Sequence, residues 1–291
     1  MEKVVVPNAA VWSALMSVCA RAGRSREALD ALALMRARGY TLEPYTLASA
    51  LTACRESVGG SGGSADYVGG GGGGGGGGVS ASLKQSTEAR EALDVFESAP
   101  VSASGTTAVR NAAIALYAAV GLTDRAFALY EEMRIAASEE EKEDYDPDRP
   151  TDGCHKKKDE PRVAATMIST NHDRNRTQRA PDTITYNTLI AACVASNQPH
   201  RARQLHRDMV AADVPRSTRT YVSLMAAAVR AAPEGEGAAA AAAAEVFAAA
   251  EADATTGPAN AFTYTALIDA QAKGGAPEAE PITYSHRRTC I

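Results

Sequence analysis

The sequence is poor in aromatic residues and cysteines, and it has no long apolar run. Only 5% of its 291 residues are aromatic, and five are cysteines. No apolar stretch approaches the roughly 20 residues that a membrane-spanning helix needs, so we expect no membrane contact. The odd number of cysteines gives no disulfide framework, and no Cys-x-x-Cys pair supports a zinc or thioredoxin-like site. The net charge of −5 excludes a uniformly positive surface, so any nucleic-acid contact must be a local stripe.

Motifs for catalysis and for cofactor binding are also missing. The zinc deaminase signature needs His-x-Glu followed by Pro-Cys-x-x-Cys, and the sequence has neither half. The adjacent Cys154 and His155 have no two further ligands at metal spacing. The glycine run at residues 69–78 lacks the Gly-Lys-Ser/Thr ending of a phosphate-binding loop. We therefore expect no enzymatic activity, no metal, no cofactor and no small-molecule substrate.

A period near 35 residues organises what is present. Cys19 and Cys54 are 35 residues apart, and Cys193 takes the same eleventh place in a later repeat. Cysteines at this spacing are interpreted as small buried residues of a repeating helix interface. Six repeats follow from this register, numbered 1 to 6: residues 9–43, 44–106, 107–182, 183–217, 218–260 and 261 onward.

The repeats carry the pattern of two amphipathic helices. In the first helix an aromatic residue such as Tyr186 is followed three and four places later by an apolar pair, here Leu189 and Ile190, so that all three share one face. In the second helix an alanine and a methionine seven places apart share a face, and Ala126 with Met133 is the best example. The pattern predicts an all-α fold of antiparallel helix-turn-helix repeats that stack into an α-solenoid.

Two long insertions interrupt the stack. A glycine-rich insertion separates the helices of repeat 2, and a charged one follows the second helix of repeat 3. Both compositions are typical of disorder. Both ends of the chain resemble cuts within a longer array. We expect residues 1–8 to be the end of a preceding repeat, and residues 9–56 to contain repeat 1 and the first helix of repeat 2. The glycine-rich insertion takes 57–86, the rest of repeat 2 and repeat 3 take 87–137, and the charged insertion takes 138–180. Repeats 4, 5 and the start of 6 take 181–275, and an irregular tail takes 276–291.

The run Thr-Tyr-Asn-Thr-Leu-Ile at residues 185–190, together with the second-helix pattern at 126–133, resembles the pentatricopeptide repeat family. The resemblance implies a right-handed superhelix that reads single-stranded RNA at about one base per repeat. It also implies two base-reading columns, which are the residue after the aromatic of the first helix and the last residue of the repeat. The pairs are Ser13 with Glu43, Asn111 with Asp182, Asn187 with Ser217, and Val222 with Asn260, while Thr265 has no identifiable partner and Ala48 faces Thr106 only if the insertion leaves the register intact.

By the family's preferences, Asn111 with Asp182 favours U, Asn187 with Ser217 favours C, and Thr265 suits a purine. Two further groups of residues are candidates for RNA contact. Ile184 and Phe262 could hold neighbouring bases between them by stacking or by apolar contact. A basic column at the thirteenth place could contact phosphates. The same column is also explained by cations that stabilise helix ends. Its members are Arg21, Arg230 and Lys273.

The function implied by the resemblance is sequence-selective RNA binding that supports RNA processing, stability or translation in a chloroplast or mitochondrion, with RNA-processing proteins as further partners. The first eight residues show no targeting segment. The alternative is a tetratricopeptide-like scaffold that binds proteins, because such repeats share the hairpin and a similar period. The Tyr-Asn-Thr-Leu-Ile opening and the polar residue that ends several repeats favour the RNA-binding interpretation.

Overall fold

The computed structural model describes residues 8–58, 79–143, 179–233 and 237–273, without the side chains of residues 9, 79–86, 140–143 and 273. Within these ranges the chain forms helices, turns and bends and no strand, which confirms the all-α prediction. In chain order the helices are α1 (Ala9–Ala22), α2 (Ser25–Ala37), α3 (Pro44–Val58), α4 (Val79–Glu97), α5 (Val101–Ser104), α6 (Thr107–Ala119), α7 (Thr123–Glu143), α8 (Thr183–Ala195), α9 (Pro199–Ala211), α10 (Thr218–Ala231), α11 (Ala238–Ala252) and α12 (Ala261–Lys273).

Each repeat opens with a helix that begins at the first residue of the 35-residue register. These first helices are α1, α3, α6, α8, α10 and α12, and the second helices of repeats 1 to 5 are α2, α4, α7, α9 and α11. Gly23, with φ of 61°, and Gly121, with φ of 83°, follow the first helices of repeats 1 and 3. Glycine adopts this left-handed conformation without strain, so the chain can reverse into the second helix.

The chain divides into two compact bodies, Met1–Thr185 and Tyr186–Ile291. In the N-terminal body the first helices α1, α3 and α6 pack side by side in one layer, and α2 packs on α4 in a second layer. Trp12, Met16 and Cys19 of α1 join Leu32 and Met35 of α2 in a buried apolar cluster. Each large apolar side chain buried in this way contributes about 1.5–3 kcal/mol, so the interface between layers is the source of stability.

In the C-terminal body α10 packs against α9, α11 and α12. Met225 of α10, Phe247 of α11 and Leu267 of α12 form its apolar cluster. The predicted repeat core is confirmed in both bodies, because the three cysteines and the alanine–methionine pairs are buried. The buried residues are Cys19, Cys54, Cys193, Ala28, Met35, Ala126, Met133, Ala202 and Met209.

Both predicted insertions are too long at their helical ends. Residues 57–58 belong to α3, residues 79–86 belong to α4, and residues 138–143 belong to α7. The reason is local: residues 79–86 follow the last glycine of the run, and residues 138–143 consist of Ser, Glu and Lys, which allow a helix to continue. The remaining parts of the insertions, apart from residues 179–180, and the tail at 276–291 lie outside the described residues. The predicted right-handed superhelix stays a prediction.

Within the described ranges, no helix is both long and apolar enough to cross a membrane.

Candidate nucleic-acid interface

In repeat 3 the two predicted base-reading residues are hydrogen-bonded to each other. Asn111 of α6 donates from Nδ2 to Oδ1 of Asp182 at 2.9 Å. Thr185, in the first turn of α8, donates its hydroxyl proton to Oδ1 of Asn111 at 2.6 Å. Asn111 is only 7% exposed and Thr185 is fully buried. We call Asn111, Asp182 and Thr185 the repeat 3 triad.

Repeat 4 contains the same arrangement. Asn187 of α8 donates from Nδ2 to the hydroxyl oxygen of Ser217 at 3.1 Å. Thr220, in the first turn of α10, donates its hydroxyl proton to Oδ1 of Asn187 at 2.6 Å. Asn187 is 8% exposed and Thr220 is fully buried. We call Asn187, Ser217 and Thr220 the repeat 4 triad. In both triads the threonine is the third residue of the following repeat. The sequence contains this recurrence, but the family motif does not single it out.

The last residue of a repeat also caps the first helix of the next one. Asp182 accepts the backbone N–H of Thr185 on Oδ1 at 2.9 Å, and Ser217 caps α10 in the same way through a reciprocal bond with Thr220. Helix first turns carry N–H groups without helical partners, and Asp, Ser and Asn are preferred there for that reason. Capping alone therefore accounts for the polar ends of these repeats, and this feature does not distinguish an RNA-binding array from a peptide-binding one.

The corresponding positions of repeats 1 and 2 lack the asparagine that is found in repeats 3 and 4. Ser13 is half-buried on α1, and Glu43 is exposed just before α3. Ala48 is half-buried on α3, and its methyl side chain has no polar atom that could read a base. Its predicted partner Thr106 precedes α6, and the Thr106 hydroxyl is buried without a hydrogen-bond partner among the described residues.

The positions of repeats 5 and 6 are used for packing and for helix starts. Val222 packs against the apolar cluster of the C-terminal body. Asn260 donates from Nδ2 to the Thr218 hydroxyl at 3.2 Å and accepts the backbone N–H of Phe262 on Oδ1 at 3.1 Å. Thr265 is exposed, and its hydroxyl donates to the Ala261 carbonyl at 2.8 Å. Val222 and Asn260 thus form no reading pair of the kind found in repeats 3 and 4.

The second residue of several repeats is a large apolar side chain held open to solvent. Ile184 is 61% exposed and Phe262 is 60% exposed, as a base-stacking role requires. Tyr45 takes the same second place in repeat 2 and is 56% exposed. Tyr45 is a candidate that the repeat pattern alone did not single out, although its position in the register was the available signal.

The basic column is not uniform. The guanidinium of Arg230 donates to the carbonyl oxygen of Val194, in the last turn of α8. Such terminal carbonyls have no helical partner, so Arg230 serves a neighbouring helix end rather than a free surface. Arg21 is exposed in the last turn of α1, whereas the side chain of Lys273 lies outside the described residues. Arg21 is therefore the member best placed for a phosphate contact.

A buried ion pair joins repeats 4 and 5. Arg216 donates from Nε to Oδ2 of Asp253 at 2.8 Å and from Nη2 to Oδ1 at 2.9 Å. The same carboxylate accepts the hydroxyl of Tyr221 at 2.7 Å and the backbone N–H of Thr255 at 2.9 Å. The guanidinium of Arg216 holds the pKa of Asp253 well below its ordinary value, and burial raises the pKa of Tyr221 to about 12. His206 stacks edge-on against Tyr221, and burial lowers the pKa of its imidazole.

The described cysteines have the chemistry of core residues. Burial raises the pKa of Cys54 to about 12 and that of Cys193 to about 11, so both are thiols at neutral pH. Cys154 and His155 lie outside the described residues. In the part of the chain that the structure describes, no three His, Cys, Asp or Glu residues lie close enough together to hold a metal ion.

Comparison with known proteins finds relatives of the repeat. A model described as the PPR repeat family matches residues 181–230, and one described as the PPR repeat matches residues 10–40 and 109–135. No curated protein matches the chain. These segments contain α1 and α2, most of α6 and α7, α8, α9, and most of α10.

Solved structures of the pentatricopeptide repeat protein PPR10 are similar over most of this chain. PPR10 in complex with an 18-nt psaJ RNA element is 17% identical, covers 93% of this chain and 39% of its own, and has a TM-score of 0.29. PPR10 from maize is 15% identical over 93% of this chain and 37% of its own, also with a TM-score of 0.29. The chain thus spans about two-fifths of the length of these proteins, and a TM-score this low adds nothing to the assignment. Because matched repeat models and helical hairpins coincide at residues 10–40, 109–135 and 181–230, the chain contains pentatricopeptide repeats in these three segments.

Proposed function

We propose that this array binds single-stranded RNA and selects bases through the reading pairs of repeats 3 and 4. The observation that carries the proposal is the direct side-chain bond between the two columns, Asn111 with Asp182 and Asn187 with Ser217. The two columns are 71 and 30 residues apart in sequence at these pairs. Their meeting in space gives repeats 3 and 4 one polar pair each, whose donors and acceptors can match the Watson–Crick edge of a single base.

The repeat 3 pair suits uracil. A carboxylate can only accept, and every hydrogen bond that the described residues give Asp182 through its side chain falls on Oδ1. Oδ2 is therefore available to accept the N3–H of uracil. Asn111 uses one Nδ2 proton on Asp182 and keeps the other for a base oxygen.

The repeat 4 pair suits cytosine. Ser217 accepts from Asn187, and its hydroxyl proton can turn either to Thr220 Oγ1, 3.1 Å away, or outward. Cytosine offers an acceptor at N3, where uracil offers a proton, so an outward-turned hydroxyl favours cytosine. The second Nδ2 proton of Asn187 serves a base oxygen, as in repeat 3.

Base stacking and phosphate contact complete the proposed interface. Ile184 and Phe262 offer exposed apolar surfaces to neighbouring bases, and a base stacked on the aromatic ring of Phe262 contributes about 1–3 kcal/mol. Arg21 would add a charge-assisted phosphate contact. We place this non-catalytic activity in a chloroplast or mitochondrion, where it would support RNA processing, stability or translation together with RNA-processing proteins, as is typical of the family.

The proposal is tested by fluorescence anisotropy with RNA oligonucleotides that present each of the four bases opposite repeats 3 and 4. We expect binding that weakens with salt and that prefers U opposite repeat 3 and C opposite repeat 4. The double variant Asn187→Ala with Ser217→Ala should lose the preference opposite repeat 4. The matched control is Val222→Ala, which alters a repeat without a reading pair. Equal affinity for all bases, or salt-insensitive binding, would contradict the proposal.

A further inference from the structure

We propose that Thr185 and Thr220 are positioning residues, each of which holds the reading asparagine of the preceding repeat so that only its N–H group faces the base. The inference rests on the proposed function, because it concerns how the same pairs select a base. Each threonine is the third residue of one repeat and acts on the fifth residue of the repeat before it.

The contact geometry is the same in both repeats. The threonine hydroxyl lies 2.6 Å from the asparagine Oδ1 in the repeat 3 triad and 2.6 Å in the repeat 4 triad. In each case the same hydroxyl oxygen accepts the backbone N–H of the repeat's last residue, Asp182 at 3.1 Å and Ser217 at 3.0 Å. The threonine therefore links the helix cap to the reading amide in one buried network.

The network determines which way the amide faces. In repeat 3 the group next to Asp182 must be Nδ2, because a carboxylate cannot donate. Oδ1 of Asn111 then faces Thr185, whose single hydroxyl proton goes to Asn111 Oδ1 at 2.6 Å and not to Asp182 Oδ1, which lies farther away at 3.0 Å. With Oδ1 turned toward the buried Thr185 hydroxyl, the amide presents the free proton of Nδ2 to a base. A flipped amide would place two acceptors, Oδ1 and the carboxylate, against each other. The base atom that faces Nδ2 must therefore be an acceptor, and a base that places a donor at this one position is disfavoured.

The third-place threonine also occurs where the preceding repeat has no reading asparagine, and there its hydroxyl bonds no amide side chain. Where the fifth residue is Ser13, the equivalent Thr46 is fully buried and its hydroxyl has no partner among the described residues. Where the fifth residue is Val222, the equivalent Thr263 turns its hydroxyl to the Asn260 carbonyl at 2.7 Å.

In the remaining case both positions are apolar. Ala48 is the fifth residue of repeat 2, and the third residue of repeat 3 is Val109, which is fully buried. The third-place hydroxyl thus bonds the asparagine in both repeats that have one, while the Ala48 and Val109 positions have neither group.

The experiment compares Thr220→Val, which keeps the shape and removes the hydroxyl, with Thr220→Ser, which keeps the hydroxyl. Anisotropy measures the ratio of affinities for C and U at the repeat 4 position in the full chain. We expect Thr220→Val to reduce the ratio roughly fivefold to tenfold, the effect of one lost hydrogen bond, and Thr220→Ser to retain it. Circular dichroism melts check that both variants are folded.

A second measurement needs no RNA. The side-chain NH₂ signals of Asn187 are identified by their loss in Asn187→Ala. They should be displaced from free-amide shifts and exchange slowly with solvent in the wild-type chain and in Thr220→Ser. In Thr220→Val they should move toward free-amide shifts and exchange faster. Thr185→Val should do the same to Asn111 if Thr220→Val fails to fold.

The outcomes separate the two proposals. A wild-type base preference that Thr220→Val leaves unchanged overturns the positioning role and leaves the RNA function standing, as does an equal loss in Thr220→Ser. Amide signals that respond as expected in a chain without base preference support the positioning role and overturn the reading function. Amide signals that are the same in all three proteins overturn the positioning role.

Discussion

Replacing Asp253 by asparagine should destabilise the C-terminal body strongly, although the residue contacts no proposed RNA surface. The carboxylate accepts both guanidinium bonds of Arg216 as well as the Tyr221 hydroxyl. The side chains of Arg216 and Asp253 are 14% and 7% exposed. The substitution keeps the size of the side chain but leaves a nearly buried cation without its counter-ion.

The expected loss is about 3 kcal/mol of unfolding free energy. Removing one partner of a buried pair costs about 3–5 kcal/mol, because the other charge stays buried and uncompensated. The lower end applies because water reaches part of the Arg216 side chain. Tyr221 keeps a hydrogen-bond acceptor in the new amide oxygen, which also limits the loss.

The loss should depend on pH in a defined direction. The Arg216 guanidinium depresses the pKa of Asp253 in the folded chain. A carboxylate of this kind contributes stability above its unfolded pKa of about 3.9, and the contribution disappears as the pH falls toward the folded value. The difference between the wild-type chain and Asp253→Asn should therefore be full at pH 7 and shrink below about pH 4.

Hydrogen exchange of backbone amides in α10 and α11 measures this locally, which is appropriate because repeat arrays lose stability repeat by repeat. The matched control is Asp30→Asn, which breaks the exposed pair with Arg26 and should leave exchange unchanged. Equal protection in Asp253→Asn and the wild-type chain at pH 7, or a difference that persists unchanged on acidification, would refute the reasoning.

Further substitutions test the reading pairs and the packing. Ser217→Asp should move the base preference at the repeat 4 position from C to U, and Asp182→Ser should move the preference at the repeat 3 position from U to C. Neither change should alter the melting temperature much, because both residue types cap helices. Anisotropy with RNAs that carry each base checks this, and an unchanged preference contradicts it. Ser13→Asn should give the buried Thr46 hydroxyl a partner and stabilise the chain by about 1 kcal/mol, measured by urea unfolding; a lower midpoint would show that the two side chains do not meet. Phe262→Ala should weaken RNA binding by about 1–3 kcal/mol while leaving the melt unchanged, since the ring is exposed; unchanged affinity would exclude a stacking role.

The helical repeat was predictable because its signal is redundant. Cysteine, alanine and methionine each recur at fixed places, and buried faces impose that recurrence wherever helices stack. The average composition of each insertion does not show its helical ends. Glycine dominates the stretch before Val79, but the residues that follow form a helix.

The candidate site was predictable in its positions and not in its interactions. The register placed Asn187 and Ser217 in two columns, but it could not show that they bond each other or that Ser217 also starts α10. The role of Thr220 depends on contacts 30 or more residues away in sequence, which no local pattern contains. Arg230 shares a column with Arg21, yet its guanidinium donates a hydrogen bond to a carbonyl oxygen of α8.

The double use of the last residue of a repeat restricts how such an array can change. Asp182 and Ser217 each start the next helix and also stand at the proposed base edge. Only side chains that start a helix well are tolerated there, so the usable recognition alphabet is limited to a few small polar residues before any RNA is considered. A substitution that changes the base preference of one repeat also changes the start of the next helix. A new RNA target can therefore evolve only through substitutions that still let that helix form.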